Sequence, residues 1–300
     1  MDQTLYVIGN GFDLYHGIRS EYRYFGEYLS EVDYEVSNYL DEYLHAEESD
    51  FWSKFEANLA NLDSDSLCEF ASEYLIGYGA EDWSDSCHHA YQGEIKDIVD
   101  GLTIRWLSHF RRWVKGLQIP SGDDFKGRLL NIDNDAEFLS FNYTPTLQKL
   151  YGVSSENVLH IHGNSKQPDT IVLGHGWVNQ ETELYEYDDR DNIDPRVQQG
   201  DEIVHSYFKK TFKSTKAIIE ANSSFFLKLK KIDTITVLGH SLGDVDLPYF
   251  LKIIEQNSKN RVNWTFSYYK DVMSIKAQAE KLNISKELRK YVPFDCYVLH

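Results

Sequence analysis

A glycine-containing turn with a carboxylate follows the first apolar run of the chain. The segment Gly9-Asn10-Gly11-Phe12-Asp13 comes directly after apolar residues 5–8 and precedes a helical pattern. Glycines at the end of a buried strand let the backbone approach a phosphate, and a helix that begins there offers unpaired N–H donors. Leu14 occupies the third glycine position of the dinucleotide-binding pattern. The segment therefore fits a nucleotide-binding turn or an ordinary strand-to-helix turn.

A second glycine-containing segment lies late in the chain, after apolar residues 233–238. Gly239-His240-Ser241-Leu242-Gly243 matches G-x-S-x-G, the nucleophile elbow of serine hydrolases. Asp271 and His300 follow it in the order that a catalytic triad requires. The alternative is a strand-end loop whose backbone and Ser241 hydroxyl contact a ribose or a phosphate, before a helix capped by Asp244 or Asp246.

Small polar residues end a third apolar run, at 136–141. Asn142, Tyr143 and Thr144 follow that run and precede Pro145, which favours the start of a helix. In open parallel sheets, ligands bind at the carboxyl ends of the strands, where such side chains can reach a ribose. Thr144 also fits an ordinary helix N-cap, and the two roles are compatible.

Three histidines lie near the ends of two predicted strands: His160 and His162 in HIHG, and His175 in GHG. Strand alternation places His160 and His162 on one face, the spacing of a metal site. A metal needs a third ligand, and the sequence offers no obvious one, so we expect no metal. Histidine accepts protons near neutral pH, which makes His162 a candidate base.

Composition limits the classes of partner. The chain has 300 residues, with 30 Lys and Arg against 48 Asp and Glu, and its formal net charge is −18. Nucleic acids and anionic membrane surfaces are bound through clustered Lys and Arg, so we expect neither as a partner. The sequence has no apolar run long enough to span a bilayer, and we expect a cytoplasmic protein with reduced cysteines.

The apolar runs also predict the fold. Strand-sized runs at 5–8, 136–141, 157–163, 169–176, 233–239, 262–269 and 296–300 alternate with helical segments such as 202–231 and 272–282. This alternation predicts a Rossmann-like α/β fold with a largely parallel sheet. Residues 20–119 are acidic and have helical spacing, so we expect an α-helical insertion after the first strand. Residues 1–19 and 120–300 form the α/β domain, and the loop-like segment 179–201 is a candidate cover.

In order along the chain, four segments resemble the sirtuin type of NAD-binding domain. The sirtuin G-A-G-I-S turn and its G-I-P-D-F ending correspond to residues 9–13 and 17–20, T-Q-N-I-D corresponds to 140–144, the H-G histidine to His162, and G-T-S-L to 239–242. The segments IGNGFDLYHGIRSEY, W..FE..LA, SFNYT, HIHG and LGHS resemble the AbiH family of bacterial abortive-infection proteins over nearly the whole chain. That family is similar to the sirtuin superfamily in fold.

The resemblance implies an antiphage effector that binds NAD and hydrolyses it to nicotinamide and ADP-ribose, with NAD as substrate and no further cofactor. The sirtuin zinc module is missing and Thr144 replaces an aspartate, which argues against protein deacylation. The resemblance assigns catalysis to Asn142 and His162, and nucleotide binding to Gly9, Asn10, Gly11, Phe12, Asp13, Tyr143, Gly239, His240, Ser241, Leu242 and Asp246. The alternatives are a non-catalytic sensor of NAD or a related nucleotide and a serine esterase using Ser241.

A toxin that destroys NAD must stay silent until infection. We therefore expect an activating protein or self-association as a means of control.

Overall fold

The described residues include a parallel sheet. The computed structural model describes residues 3–81, 83–125, 129–176, 194–258 and 261–297. Within these residues six strands are all paired in parallel, in the order β3-β2-β1-β4-β5-β6. They are β1 (Thr4–Ile8), β2 (Glu137–Ser140), β3 (Val158–His160), β4 (Thr234–Leu238), β5 (Asn263–Tyr268) and β6 (Arg289–Pro293). This confirms the predicted Rossmann-like α/β fold.

The described residues also form α-helices. They are α1 (Asn10–Tyr15), α2 (Tyr22–Val32), α3 (Tyr34–Leu44), α4 (Phe55–Asn58), α5 (Ser64–Ser72), α6 (Ala90–Asp100), α7 (Trp106–Gly116), α8 (Thr146–Tyr151), α9 (Pro195–Thr211), α10 (Thr215–Ala221), α11 (Ser223–Lys228), α12 (Leu247–Gln256) and α13 (Val272–Glu280). A π-helical turn, Gly101–Arg105, joins α6 to α7. None of the helices in the described residues is long and apolar enough to cross a bilayer.

The chain divides into two compact units. Unit 1 comprises Met1–Glu21, Arg111–Val172 and Ser214–His300 and contains the sheet, whereas unit 2 comprises Tyr22–Phe110 and Leu173–Lys213 and is helical. Residues 120–300 were predicted to belong to the α/β domain; in the structure the described residues 173–176 and 194–213 group with unit 2.

The packing of α9 against α6 explains this grouping. A Cβ added at Gly200 of α9 would lie 2.5 Å from Cε1 of Tyr91, and 2.7 Å from Cδ1 of Ile95, both on α6. Glycine at this position therefore allows the two helices of unit 2 to approach closely.

Two predicted strands, 169–176 and 296–300, are not found as strands among the described residues. In place of the predicted strand at 169–176, the chain forms a 3-10 turn, Pro168–Thr170. Irregular backbone follows it, with one isolated bridge at His175. Ile171 and Leu173 are buried there without a neighbouring strand, so burial and not sheet pairing explains this apolar run. At the C-terminus, Phe294–Tyr297 is a 3-10 turn.

The last strand of the sheet is instead β6, which the sequence analysis missed. It begins with Arg289 and Lys290, and charged residues are tolerated because β6 is an edge strand. Residues 298–300, including His300, lie outside the described residues. Of the predicted cover, 179–193 also lie outside them, and 195–201 belong to α9.

The strand order determines where a ligand site is expected. β1 pairs with β2 on one side and with β4 on the other, so the order reverses at β1. Crevices outside the carboxyl ends of the strands at such a reversal are the usual ligand sites of open α/β sheets. The loops after β1, β2, β3 and β4 all begin at this edge.

Candidate functional site

The loops that follow β1 and β4 are joined directly to each other. The amide of Gly9 donates to Leu238 O at 2.9 Å, and the amide of Gly11 donates to Gly239 O at 2.8 Å. A Cβ at Gly9 would lie 2.4 Å from Cα of His240, and a Cβ at Gly239 would lie 2.4 Å from the backbone nitrogen of Phe12. Packing of one loop on the other therefore explains these glycines.

Gly239 also has a positive φ of 67°, a backbone angle that residues other than glycine rarely adopt. Its amide donates to the Ser267 hydroxyl at 2.9 Å, and the Tyr269 hydroxyl donates to Gly11 O at 2.7 Å. Ser267 lies in β5 and Tyr269 follows it directly, and neither was predicted from the sequence. The strand ends of β1, β4 and β5 thus form one hydrogen-bonded unit.

Asp13 connects the loop after β1 to the loop after β2. Thr144 Oγ1 donates to Asp13 Oδ2 at 2.5 Å, and Thr146 Oγ1 donates to Asp13 Oδ1 at 2.8 Å. Asp13 is buried, and this burial raises the pKa of its carboxyl to about 6 against the lowering effect of these hydrogen bonds. Both oxygens are engaged, so Asp13 positions the two loops in this structure.

Asn142 lies between these loops. Its Nδ2 donates to Gly9 O at 3.1 Å, and its own carbonyl accepts a bond of 2.8 Å from His160 Nδ1. Gln148 Nε2 lies 3.1 Å from His160 Nε2, which serves as the acceptor when Nδ1 carries the proton. Burial lowers the pKa of His160, in keeping with a neutral ring. His160 therefore supports the Asn142 backbone.

His162 has different surroundings from His160. Its Nε2 lies 3.3 Å from the hydroxyl of Tyr249 and 3.7 Å from Asp246 Oδ1. The expectation that His160 and His162 share one face is wrong, because β3 ends at His160 and strand alternation does not extend to residue 162. Tyr249 was not predicted to be a site residue, because an aromatic residue in a helical segment is typical of the apolar core. Its place three residues after Asp246 was the available signal.

His240 contacts the other oxygen of the same carboxylate. Its Nε2 lies 3.4 Å from Asp246 Oδ2, and its Nδ1 accepts a bond of 2.9 Å from the amide of Leu242. The ring of Phe141 packs edge-on against both imidazoles, with centroid distances of 5.3 Å to His162 and 4.3 Å to His240. The structure therefore brings together His162, which follows β3, and His240 and Asp246, which both lie in the loop after β4.

Ser241 does not form a catalytic pair within the described residues. Its side chain is exposed and has no hydrogen bond to a histidine there. In this loop Gly239 and Leu242 have positive φ, 67° and 58°, and the serine does not. Asp271 caps α13 by accepting from the amide of Met273 at 2.8 Å.

The other predicted binding residues are dispersed. Phe12 and Leu242 are fully buried in the apolar core, and the Tyr143 hydroxyl donates to Val172 O at 3.3 Å. Asn10 is exposed, and its Oδ1 accepts from the Ser20 hydroxyl. His175 is buried in unit 2.

Access to the candidate site is restricted. The exposed fractions of Asn142 and His162 are 7% and 2%. An open pocket of about 340 Å³ lies next to β3 and is lined by residues that include Pro145, His160 and Lys166, but by neither Asn142 nor His162. Among the described residues, no group of three or more His, Cys, Asp or Glu is arranged to hold a metal.

Comparison with protein families agrees with the sequence motifs at this edge. The family described as bacteriophage abortive infection AbiH matches residues 5–268, a span that includes all four strand-end loops. The chain belongs to the AbiH family. Membership of AbiH implies a role in abortive infection, a defence against bacteriophage. A search of curated proteins found no match to this AbiH chain.

Proposed function

We propose that this AbiH protein is an abortive-infection effector that binds NAD, or a related nucleotide, and hydrolyses the bond between nicotinamide and ribose. The observation that carries this proposal is the interlocking of the loops after β1, β2 and β4 at the point where the strand order reverses. Dinucleotides bind at that point in doubly wound sheets. The same loops resemble sirtuin motifs, and this resemblance favours NAD as the bound nucleotide.

The polar residues present suit this reaction. Nicotinamide is attached to ribose as a cationic pyridinium and leaves as a neutral molecule, so no general acid is needed. Water forms the new bond to the ribose carbon, the leaving nicotinamide takes the electron pair of the broken C–N bond, and the water proton passes to His162. Asn142 holds the ribose or orients the water.

The burial of these residues bears on control of the reaction. With exposed fractions of 7% and 2%, Asn142 and His162 must become more accessible before they can contact a substrate. A site that is inaccessible before infection and becomes accessible on activation keeps the toxin inactive until infection. We propose an activating protein or self-association as the trigger.

The test is incubation of the purified protein with NAD, alone and with lysate of infected cells, followed by chromatography for nicotinamide and ADP-ribose. His162→Ala and Asn142→Ala should each reduce turnover by roughly 10²- to 10⁴-fold, the usual contribution of a positioned base. The control is His45→Ala, an exposed histidine of unit 2, which should retain turnover. Turnover at the wild-type rate by both site variants would refute the mechanism.

A binding-only function is the second candidate, and the same burial of His162 favours it. A sensor would bind NAD or ADP-ribose saturably and release no product over hours, with or without infected lysate. A fluorophosphonate probe separates the third alternative, since labelling abolished by Ser241→Ala would indicate a serine esterase.

A further inference from the structure

One carboxylate lies between two buried imidazoles at the carboxyl edge of the sheet. Asp246 Oδ1 is 3.7 Å from His162 Nε2, and Asp246 Oδ2 is 3.4 Å from His240 Nε2. His162 follows β3, His240 follows β4, and Asp246 precedes the first residue of α12. The carboxylate thus connects two strand-end loops to a helix.

The proton on His240 is fixed by the backbone. Its Nδ1 accepts from the amide of Leu242, so the proton of the neutral ring is on Nε2, the nitrogen that faces Asp246. His240 therefore presents a donor to Oδ2. Its orientation is held by a loop bond within two residues and does not depend on a ligand.

His162 faces the other oxygen of the same carboxylate. Its side chain is 3% exposed, compared with 17% for Asp246. Burial disfavours an imidazolium, and a carboxylate within a few ångströms favours it. Phe141 and the hydroxyl of Tyr249 also contact the His162 ring. Asp246 is thus the anion in this set that offsets the cost of a charged His162.

We propose that Asp246 is a positioning residue that holds His162 and His240 in place and maintains the basicity of His162. This inference rests on the proposed function, in which His162 takes the proton of the attacking water. The imidazolium formed in that step is balanced by the Asp246 carboxylate, and His240 orients this carboxylate through Oδ2. In turnover, Asp246 acts through His162 and does not contact the reacting atoms.

The direct test is the titration of His162 followed by imidazole ¹⁵N NMR on the full-length protein. The His162 signal is identified as the one missing from His162→Gln. Asp246→Asn keeps the size of the side chain and removes its charge, and it should lower the titration midpoint of His162 by about one pH unit. Asp246→Glu keeps the charge and should leave the midpoint within about half of that change.

Asp244→Asn is the matched control. Asp244 is two residues away and exposed, and its carboxylate pairs with Lys281 at 2.5 Å. Removing its charge should leave the His162 midpoint in place. Equal midpoints in wild type and Asp246→Asn would overturn the inference, as would an equal fall in Asp244→Asn. If Asp246→Asn does not fold, the wild-type midpoint of His162 decides. A wild-type midpoint below about pH 5, as expected for a buried histidine without a compensating charge, would also overturn the inference.

The titration does not depend on NAD turnover, so the two proposals fail separately. A lowered midpoint without any hydrolysis of NAD would retain the role of Asp246 and refute the enzyme. If NAD is hydrolysed, the acid limb of the wild-type rate profile should move to lower pH in Asp246→Asn, in parallel with the NMR midpoint. A rate profile that does not move while turnover persists would refute the positioning role.

Discussion

The hydroxyl of Thr144 donates a 2.5 Å hydrogen bond to Oδ2 of Asp13, and this bond links the loop after β1 to the loop after β2. These two loops carry the GNGFD and SFNYT motifs. The aspartate is buried, and its carboxyl has a pKa raised to about 6 by that burial. We therefore expect the junction between the two motifs to be sensitive to pH.

Stability should fall as Asp13 ionises. The pKa of Asp13 is higher in the folded chain, about 6, than the ordinary value of 3.8, so its contribution is full below that ordinary value and is lost as the pH rises through 6. Asp13→Asn mimics the protonated group and lacks this loss. Between about pH 4 and pH 7, wild type should lose up to about 3 kcal/mol relative to Asp13→Asn. Urea unfolding at several pH values measures the difference, and a difference independent of pH would contradict the account.

The Thr144 hydroxyl should matter more than the shape of its side chain. Thr144→Val keeps the shape and leaves Asp13 Oδ2 without this donor, at a cost of about 1–3 kcal/mol in the free energy of unfolding. Thr144→Ser keeps the hydroxyl and should cost clearly less. Equal unfolding free energies for the two variants at pH 5 would show that the bond contributes nothing.

Gly239 and Gly17 separate backbone strain from steric overlap. Both have positive φ, 67° and 74°, but a Cβ at Gly239 would lie 2.4 Å from the nitrogen of Phe12, whereas a Cβ at Gly17 has no atom within 4 Å. Gly17→Ala should cost about 1–2 kcal/mol for its conformation alone. Gly239→Ala should cost about 2 kcal/mol more, since the two loops must separate. Thermal and urea unfolding test this order, and equal costs would mean that the loops do not pack as described.

The central part of the fold was predictable because its strands are fully buried. Runs of apolar residues such as 5–8 and 234–238 correspond to strands that are covered on both faces, and they stop at glycine. β6 escaped prediction because an edge strand tolerates Arg289 and Lys290. The apolar run at 169–176 was wrongly predicted to be a strand, because its apolar residues are buried without a sheet partner.

The candidate site was predictable only in part. The residue types in GNGFD, SFNYT, HIHG and GHSLG indicated strand-end loops, and strand order then placed these loops at one edge. The contact of Gly239 with Phe12 and that of Asp246 with His162 are tertiary relationships between distant segments. No local spacing encodes them. Because local spacing does not show that the two loops pack on each other, the sequence suggested a phosphate-binding role for these glycines. The packing of the two loops already requires glycine at these positions.

The location of bound nucleotide tests the central claim most directly. A crystal structure of His162→Ala, with intact NAD trapped by the loss of turnover, should show the dinucleotide at the carboxyl edge between β1 and β4. Its pyrophosphate should lie beside the loops at 9–13 and 239–242, and its nicotinamide ribose beside Asn142. Nucleotide bound elsewhere on the chain, or no nucleotide there at saturating NAD, would contradict the account.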